Sequence, residues 1–163
     1  MKSITAVAAI IKQDDELLLV KNKGDEEYAE FWTFPSGTLE TGETAYEGLY
    51  REVKEESGAE VSSINGLAFA GHQINEAKNT LVSFLVFDVS VHKTKNLAPQ
   101  DPDEEIVEAK FFTIDEVLAH LEKIPFDMMR EPPLHYFKNN NAGKTPFWIY
   151  KKNTQGCYDV SMC

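Results

Sequence analysis

The stretch GTLETGETAYEGLYREVKEESG, from Gly37 to Gly58, decides how this chain is read. Thr44-x-x-Glu47 has the form of a capping box, in which a threonine hydroxyl and a glutamate three residues on satisfy each other's backbone N–H groups. Ala45, Leu49 and Val53 then recur at helical spacing, and Gly58 stands where a left-handed stop belongs. The pattern predicts a helix over residues 44–57.

At about 100° per residue, Glu52, Glu55 and Glu56 fall on one side of that helix, within an arc of about 100°, beside the apolar stripe of Leu49 and Val53. Like charges three and four residues apart destabilise an isolated helix by roughly 0.2–0.5 kcal/mol per pair. The cluster is therefore a cost unless a cation joins it, and a hard cation such as Mg²⁺ takes carboxylate oxygens in near-octahedral shells. Gly48, one turn before Glu52 on the same side, costs about 1 kcal/mol relative to alanine. It leaves room for metal, substrate or neighbouring backbone. The bland alternative is a solvated acidic face, and the surrounding residues decide between them.

From Gly37 the chain gives five residues, Glu43, seven residues, Arg51-Glu52-Val53, one residue, Glu55-Glu56, one residue, Gly58. This arrangement resembles the box of the Nudix hydrolase family (MutT-like). Seven fixed identities at about one in fifteen each coincide by chance about once in 10⁸ trials. The opening hairpin, Trp32-x-x-Pro35-x-Gly37 and Phe111-Phe112-Thr113-Ile114-Asp115-Glu116 extend the resemblance over residues 1–122. Two positions depart from the family pattern: Ser36 stands where a second glycine is frequent, and Ala59 where a larger aliphatic residue is usual. Neither removes a metal ligand.

The resemblance implies an α/β fold, a three-layer α/β/α sandwich with a mixed central sheet, and a Mg²⁺-dependent pyrophosphatase that cleaves the diphosphate linkage of a small nucleotide. Mn²⁺ is an expected substitute. Glu52, Glu55 and Glu56 would supply carboxylates to the metal, with the Gly37 carbonyl as a further ligand. Arg51 would orient the carboxylates and Glu43 would hold the loop against the helix. The general base differs between family members, so Glu56, Glu105 and Glu108 all stand as candidates. A second reading, a Nudix-fold module that senses a nucleotide without turnover, sits poorly with a complete carboxylate set.

Working outward, Ile4–Lys12 and Glu16–Lys21 read as a hairpin across the polar Gln13-Asp14-Asp15, and the first run is too short for a secretory signal. Ile64–Ala70, Leu81–Val91 and Ile106–Thr113 read as strands, Ile114–Glu122 as a short helix, and Asp101–Glu105 as a solvated loop. Phe126–Asn139 predicts a helix interrupted or started at Pro132-Pro133, and Pro146–Lys151 a terminal strand. One domain over residues 1–153 is expected, followed by a tail without order at 154–163.

The 27 acidic against 16 basic residues leave a formal charge of −11, which opposes nucleic acid and anionic membranes as partners. No run approaches the roughly twenty apolar residues of a membrane helix. Cys157 and Cys163 are badly placed for a core disulfide, so a reducing cytoplasm is expected, with the protein a monomer or homodimer. Gly143-Lys144-Thr145 lacks the earlier glycine of a P-loop, and His72, His92, His120 and His135 have no metal-ligand spacing. Trp32, Phe34, Phe69 and Phe84 read as core, with Trp32 the best exception for base stacking. Val61–Leu97 contains neither the proline nor the tyrosine that the resemblance associates with ADP-ribose or dinucleoside polyphosphates, which leaves a nucleoside triphosphate or related small nucleotide.

Overall fold

The computed structural model describes residues 1–139, 143–152, 155 and 157–163. Its elements run β1 (Lys2–Gln13), β2 (Glu16–Asn22), β3 (Phe31–Thr33), β4 (Ser36–Thr38), α1 (Ala45–Ser57), β5 (Val61–Asn75) and β6 (Thr80–Val91). They continue with β7 (Ile106–Thr113), α2 (Ile114–Leu121), α3 (Asp127–Lys138), β8 (Phe147–Lys152) and β9 (Tyr158–Met162).

The sheet is mixed, in the order β3-β2-β1-β6-β5-β8-β9, with β4 added to β1 and β7 to β2. β1 and β2 meet as a hairpin only at its tip, Lys12 opposite Leu17 and Gln13 opposite Glu16. Beyond that the strands part: β1 runs parallel to β6, and β2 pairs antiparallel with β7. Helices cover both faces. Leu49 and Val53 of α1 pack with Val7, Ala9, Ile11, Leu18, Phe87 and Val89. On the opposite face α2 and α3 cover Ile10, Leu17, Leu19, Phe84 and Val86. This double coverage explains why β6 alternates poorly as a sequence, since even positions face one core and odd positions the other.

α1 starts as the capping box predicts, with Thr44 Oγ1 accepting from the Glu47 N–H at 3.3 Å and Glu47 Oε2 from the Thr44 N–H at 2.8 Å. It ends at Gly58, whose φ of 75° and 2.8 Å separation between a would-be Cβ and the Ala98 carbonyl both require glycine. β5 outruns its apolar stretch as far as Asn75, because backbone pairing to β6 on one side and β8 on the other continues under polar side chains.

Two expectations are corrected. α3 is continuous through Pro132 and Pro133, both buried. It is fastened at its start by Arg130 Nη1 donating to the Ile124 carbonyl at 2.8 Å, and by Tyr150 O–H donating to Glu131 Oε2 at 3.0 Å. The tail is also not without order at Tyr158–Met162, which pairs antiparallel with β8, so that β8 is not the terminal strand. Thr154 and Gly156 lie outside the described residues. Among the described residues no helix is long and apolar enough to cross a membrane.

Leu49 is fully buried between α1 and the sheet. Leu49→Ala is expected to lower unfolding free energy by about 3 kcal/mol in urea melts with the slope unchanged. A loss below about 1 kcal/mol would show that α1 is not held by this contact.

Candidate active site

β4 pairs with β1 through Ala8–Ser36, Val7–Gly37 and Ala6–Thr38, which brings Ser36 and Gly37 against Glu56 and Glu52 in the second half of α1. A Cβ on Gly37 would overlap the Glu52 carboxyl group, so the position of that carboxylate against the β4 backbone depends on glycine. Gly48 has a different tenant from those anticipated. The space beside it holds the Leu39 side chain, with Glu43 Oε2 3.0 Å from a would-be Cβ.

Arg51 is the hub of the cluster. Its Nε and Nη2 donate to the two oxygens of Glu43 at 2.8 and 2.9 Å, a planar fork on a planar carboxylate. Nη1 donates to Glu52 Oε1 at 2.7 Å and Glu55 Oε2 at 3.2 Å, while Nη2 also reaches the Thr38 carbonyl at 3.0 Å. Glu43 further accepts from the Glu40 N–H at 2.9 Å, which ties the loop before α1 into the same knot. The hydrogen bond from Arg51 holds the Glu43 carboxyl down at about 2. Glu52 moves the other way: burial raises it, Arg51 opposes, and Glu55 and Glu43 add repulsion.

Glu56 is as buried as Glu52 but receives none of the hydrogen bonds from Arg51. Burial pushes its carboxyl up to about 9, against the lowering effect of the Ser36 N–H that donates to Oε2 at 2.8 Å. Glu52, Asp101 and Glu55 add repulsion. Buried and half-buried carboxylates without enough positive charge are what a hard cation would neutralise. The oxygens available are Glu52, Glu55, Glu56 and the Gly37 carbonyl, an all-oxygen set whose chemistry fits Mg²⁺. As they stand, Arg51 and Ser36 engage the carboxylates, and no three acidic, His or Cys side chains among the described residues gather closely enough to hold a metal.

The loop after β6 closes over the C-terminal end of α1, with the Ala98 N–H on the Ser57 carbonyl at 3.0 Å and the Gln100 N–H on the Glu55 carbonyl at 2.7 Å. It delivers Asp101 close enough to Glu56 to act on its charge. Asp101 also folds its own loop, accepting from the N–H groups of Asp103, Glu105 and Ile106 at 3.2, 2.8 and 3.0 Å. Sequence reading missed it as part of a solvated run. The available signal was Asp101-Pro102, an Asx-type turn start. Glu108 pairs with Lys21 at 4.0 Å on β7, and Glu105 lines a separate cleft with Lys23, Tyr28 and Phe126.

Beside Ser36, Gly37 and Thr38 opens an apolar slot of about 170 Å³, bounded by Ala6 and Ala8 of β1, Phe34, Phe69, Phe84, and Met128, Met129 and Pro133 of α3. Trp32 is not among its walls. It packs edge-on to Phe112, with ring centroids 4.8 Å apart, and against His120.

Comparison with known proteins agrees with the geometry. The family model for the NUDIX domain matches residues 2–131, a few residues beyond the span that the box and its flanks suggest. The chain is similar to CTP pyrophosphohydrolase of Escherichia coli (strain K12), 38% identical over 73 residues, 45% of this chain and 53% of that protein. It is also similar to ADP-ribose pyrophosphatase of Methanocaldococcus jannaschii, 29% identical over 124 residues, 75% of this chain and 66% of that protein. The match thus spans about half to two thirds of these relatives' length. A solved structure, a NUDIX hydrolase from Nitrosomonas europaea, superposes with a TM-score of 0.68 at 28% identity over 84% of this chain and 90% of that one.

Removing Arg51 strands a buried Glu52 beside Glu43 and Glu55. Arg51→Gln is expected to destabilise the protein in chelator by about 2 kcal/mol in urea melts, and Arg51→Lys by nearly as much, because an ammonium cannot make the fork. Equal stability of Arg51→Lys and wild type would show that charge alone, without the fork, holds the cluster.

Proposed function

The chain belongs to the Nudix hydrolase family, and from that premise we propose that it hydrolyses the diphosphate linkage of a small nucleotide, most simply a nucleoside triphosphate. The observation that carries this reading is the set of three carboxylates on one side of α1, set against a glycine backbone and only partly neutralised by Arg51. A protein of charge −11 has little else with which to meet a diphosphate.

When bound, Mg²⁺, or Mn²⁺ in its place, would polarise phosphoryl oxygens and lower the pKa of a water molecule. Glu52, Glu55, Glu56 and the Gly37 carbonyl would hold it. Arg51 keeps Glu52 and Glu55 turned to one side of the helix, and Glu43 fixes Arg51 from behind. Hydrolysis consumes one water, breaks one P–O–P bond and releases two phosphate-bearing products without a covalent enzyme intermediate. For the general base, Glu56, Glu105 and Glu108 stand as candidates, and Asp101, whose charge acts on Glu56, joins them. Glu105 lines a separate cleft and Glu108 pairs with Lys21, which favours Glu56 and Asp101 over these two. The protein would act as a single hydrolase domain in a reducing cytoplasm, as a monomer or homodimer, with no nucleic-acid or membrane partner.

The test is a screen of the purified protein against nucleoside triphosphates, nucleotide sugars, ADP-ribose and dinucleoside polyphosphates, measuring phosphate and pyrophosphate release with Mg²⁺ and with chelator. Activity is expected only with divalent metal, and full turnover after exhaustive metal removal would overturn the assignment. Glu56→Gln is expected to lower turnover by about 10²-fold or more with metal-free thermal stability unchanged or raised, because it removes an ionisable oxygen from the metal shell while replacing a carboxyl that burial already holds at about 9 with a neutral amide of the same volume. Glu47→Gln, on the exposed cap, should leave turnover nearly unchanged. A fully active Glu56→Gln would remove Glu56 from the metal site.

A further inference from the structure

The slot beside the carboxylate cluster has the size and chemistry to select the group that the diphosphate carries, and this inference rests on the reading of the cluster as a diphosphohydrolase site. Its walls are aliphatic and aromatic, and among the described residues the only polar side chains lining it are the hydroxyl residues Thr33, Ser36 and Thr38. None of the described lining residues carries a charged or amide side chain to read a base edge. Size narrows the occupant. Apolar cavities of about 150 Å³ hold a single benzene-sized ring, and whole drug-sized ligands need roughly 300 Å³ or more. A slot of about 170 Å³ takes one small ring.

Among nucleobases the edges differ in a way the slot can use. A pyrimidine has an apolar edge at C5, where thymine carries a methyl group, whereas a purine presents the N7 acceptor on the corresponding side. Burying N7 against Phe69, Phe84 and Met129 would leave it without a donor. We propose that the slot receives the C5 edge of a pyrimidine, so that the protein acts on pyrimidine nucleoside triphosphates in preference to purine ones and favours the 5-methyl ring. The hydroxyls, which rotate to donate or accept, do not separate the keto from the amino pyrimidine. Met128 and Met129, unbranched and adaptable, close the slot from α3.

The test compares kcat/KM for dTTP, dUTP, dCTP, dATP and dGTP with Mg²⁺, together with calorimetric binding of dTMP and dAMP in chelator. dTTP is expected about fourfold above dUTP, the worth of one buried methyl. dUTP and dCTP should be nearly equal, and both purines about tenfold or more below dTTP. dTMP should bind about tenfold more tightly than dAMP. Met129→Ala, which enlarges the slot, should shrink the pyrimidine preference to about threefold or less, and Ala8→Leu, which fills it, should abolish the 5-methyl advantage. Purines hydrolysed as well as dTTP, or a preference that Met129→Ala leaves intact, would overturn the slot assignment while leaving the hydrolase reading standing. If none of the five triphosphates is hydrolysed, the nucleoside triphosphate assignment fails while the wider screen still tests the diphosphohydrolase reading, and the dTMP to dAMP ratio still decides the slot.

Discussion

The bidentate grip of Arg51 on Glu43 is the contact around which the site is organised. A helix that places three glutamates side by side repels itself, and a single guanidinium is the nearest positive charge. Because that guanidinium is planar and anchored on its far side, it can hold Glu52 and Glu55 by one nitrogen without being drawn off by either. The loop from Thr38 to Glu43 follows from the same contact, since its carbonyl and backbone N–H groups attach to Arg51 or to Glu43.

The sheet serves this arrangement by fixing β4 beside α1. Three residues of β4 are enough, because β1 holds them in register while also carrying the core beneath the helix. From the other side, the loop that ends at Asp101 is tied to the last turn of α1 by two backbone hydrogen bonds. The carboxylates are thus bracketed by segments far apart in the chain, and the metal chemistry that would occur there is confined to a seam between a helix and two loops.

How much of this the sequence disclosed depends on whether the signal was local. The Thr44–Glu47 box and the Gly58 stop are written in adjacent residues, so the ends of α1 were legible, as was the spacing of its glutamates. Strands β2, β6 and β7 were readable as apolar runs. Residues 71–75 of β5 were not, because what extends that strand is backbone pairing to two neighbours rather than its own side chains. β9 was missed for the same reason, and α3 was misread because a proline pair signals a break only where packing does not override it. Asp101 was hidden because its importance lies in a neighbour, Glu56, that only the tertiary fold supplies. The slot could not be read either, since it draws one wall from β1 and another from α3, which lies more than a hundred residues further along the chain.

The parallel pairing of β1 with β6, Lys2 opposite Thr80 through Ile11 opposite Val89, also sets an order of events during synthesis. β1 leaves the ribosome ahead of β6 and finds this long partner only after α1, β5 and most of β6 have followed. Until then an apolar strand from Val7 to Ile11 must wait with its hydrogen-bonding edge open. Topologies dominated by such distant contacts fold slowly, and waiting edges invite pairing between chains. In the cell, that interval is when a nascent chain of this design has most need of a chaperone.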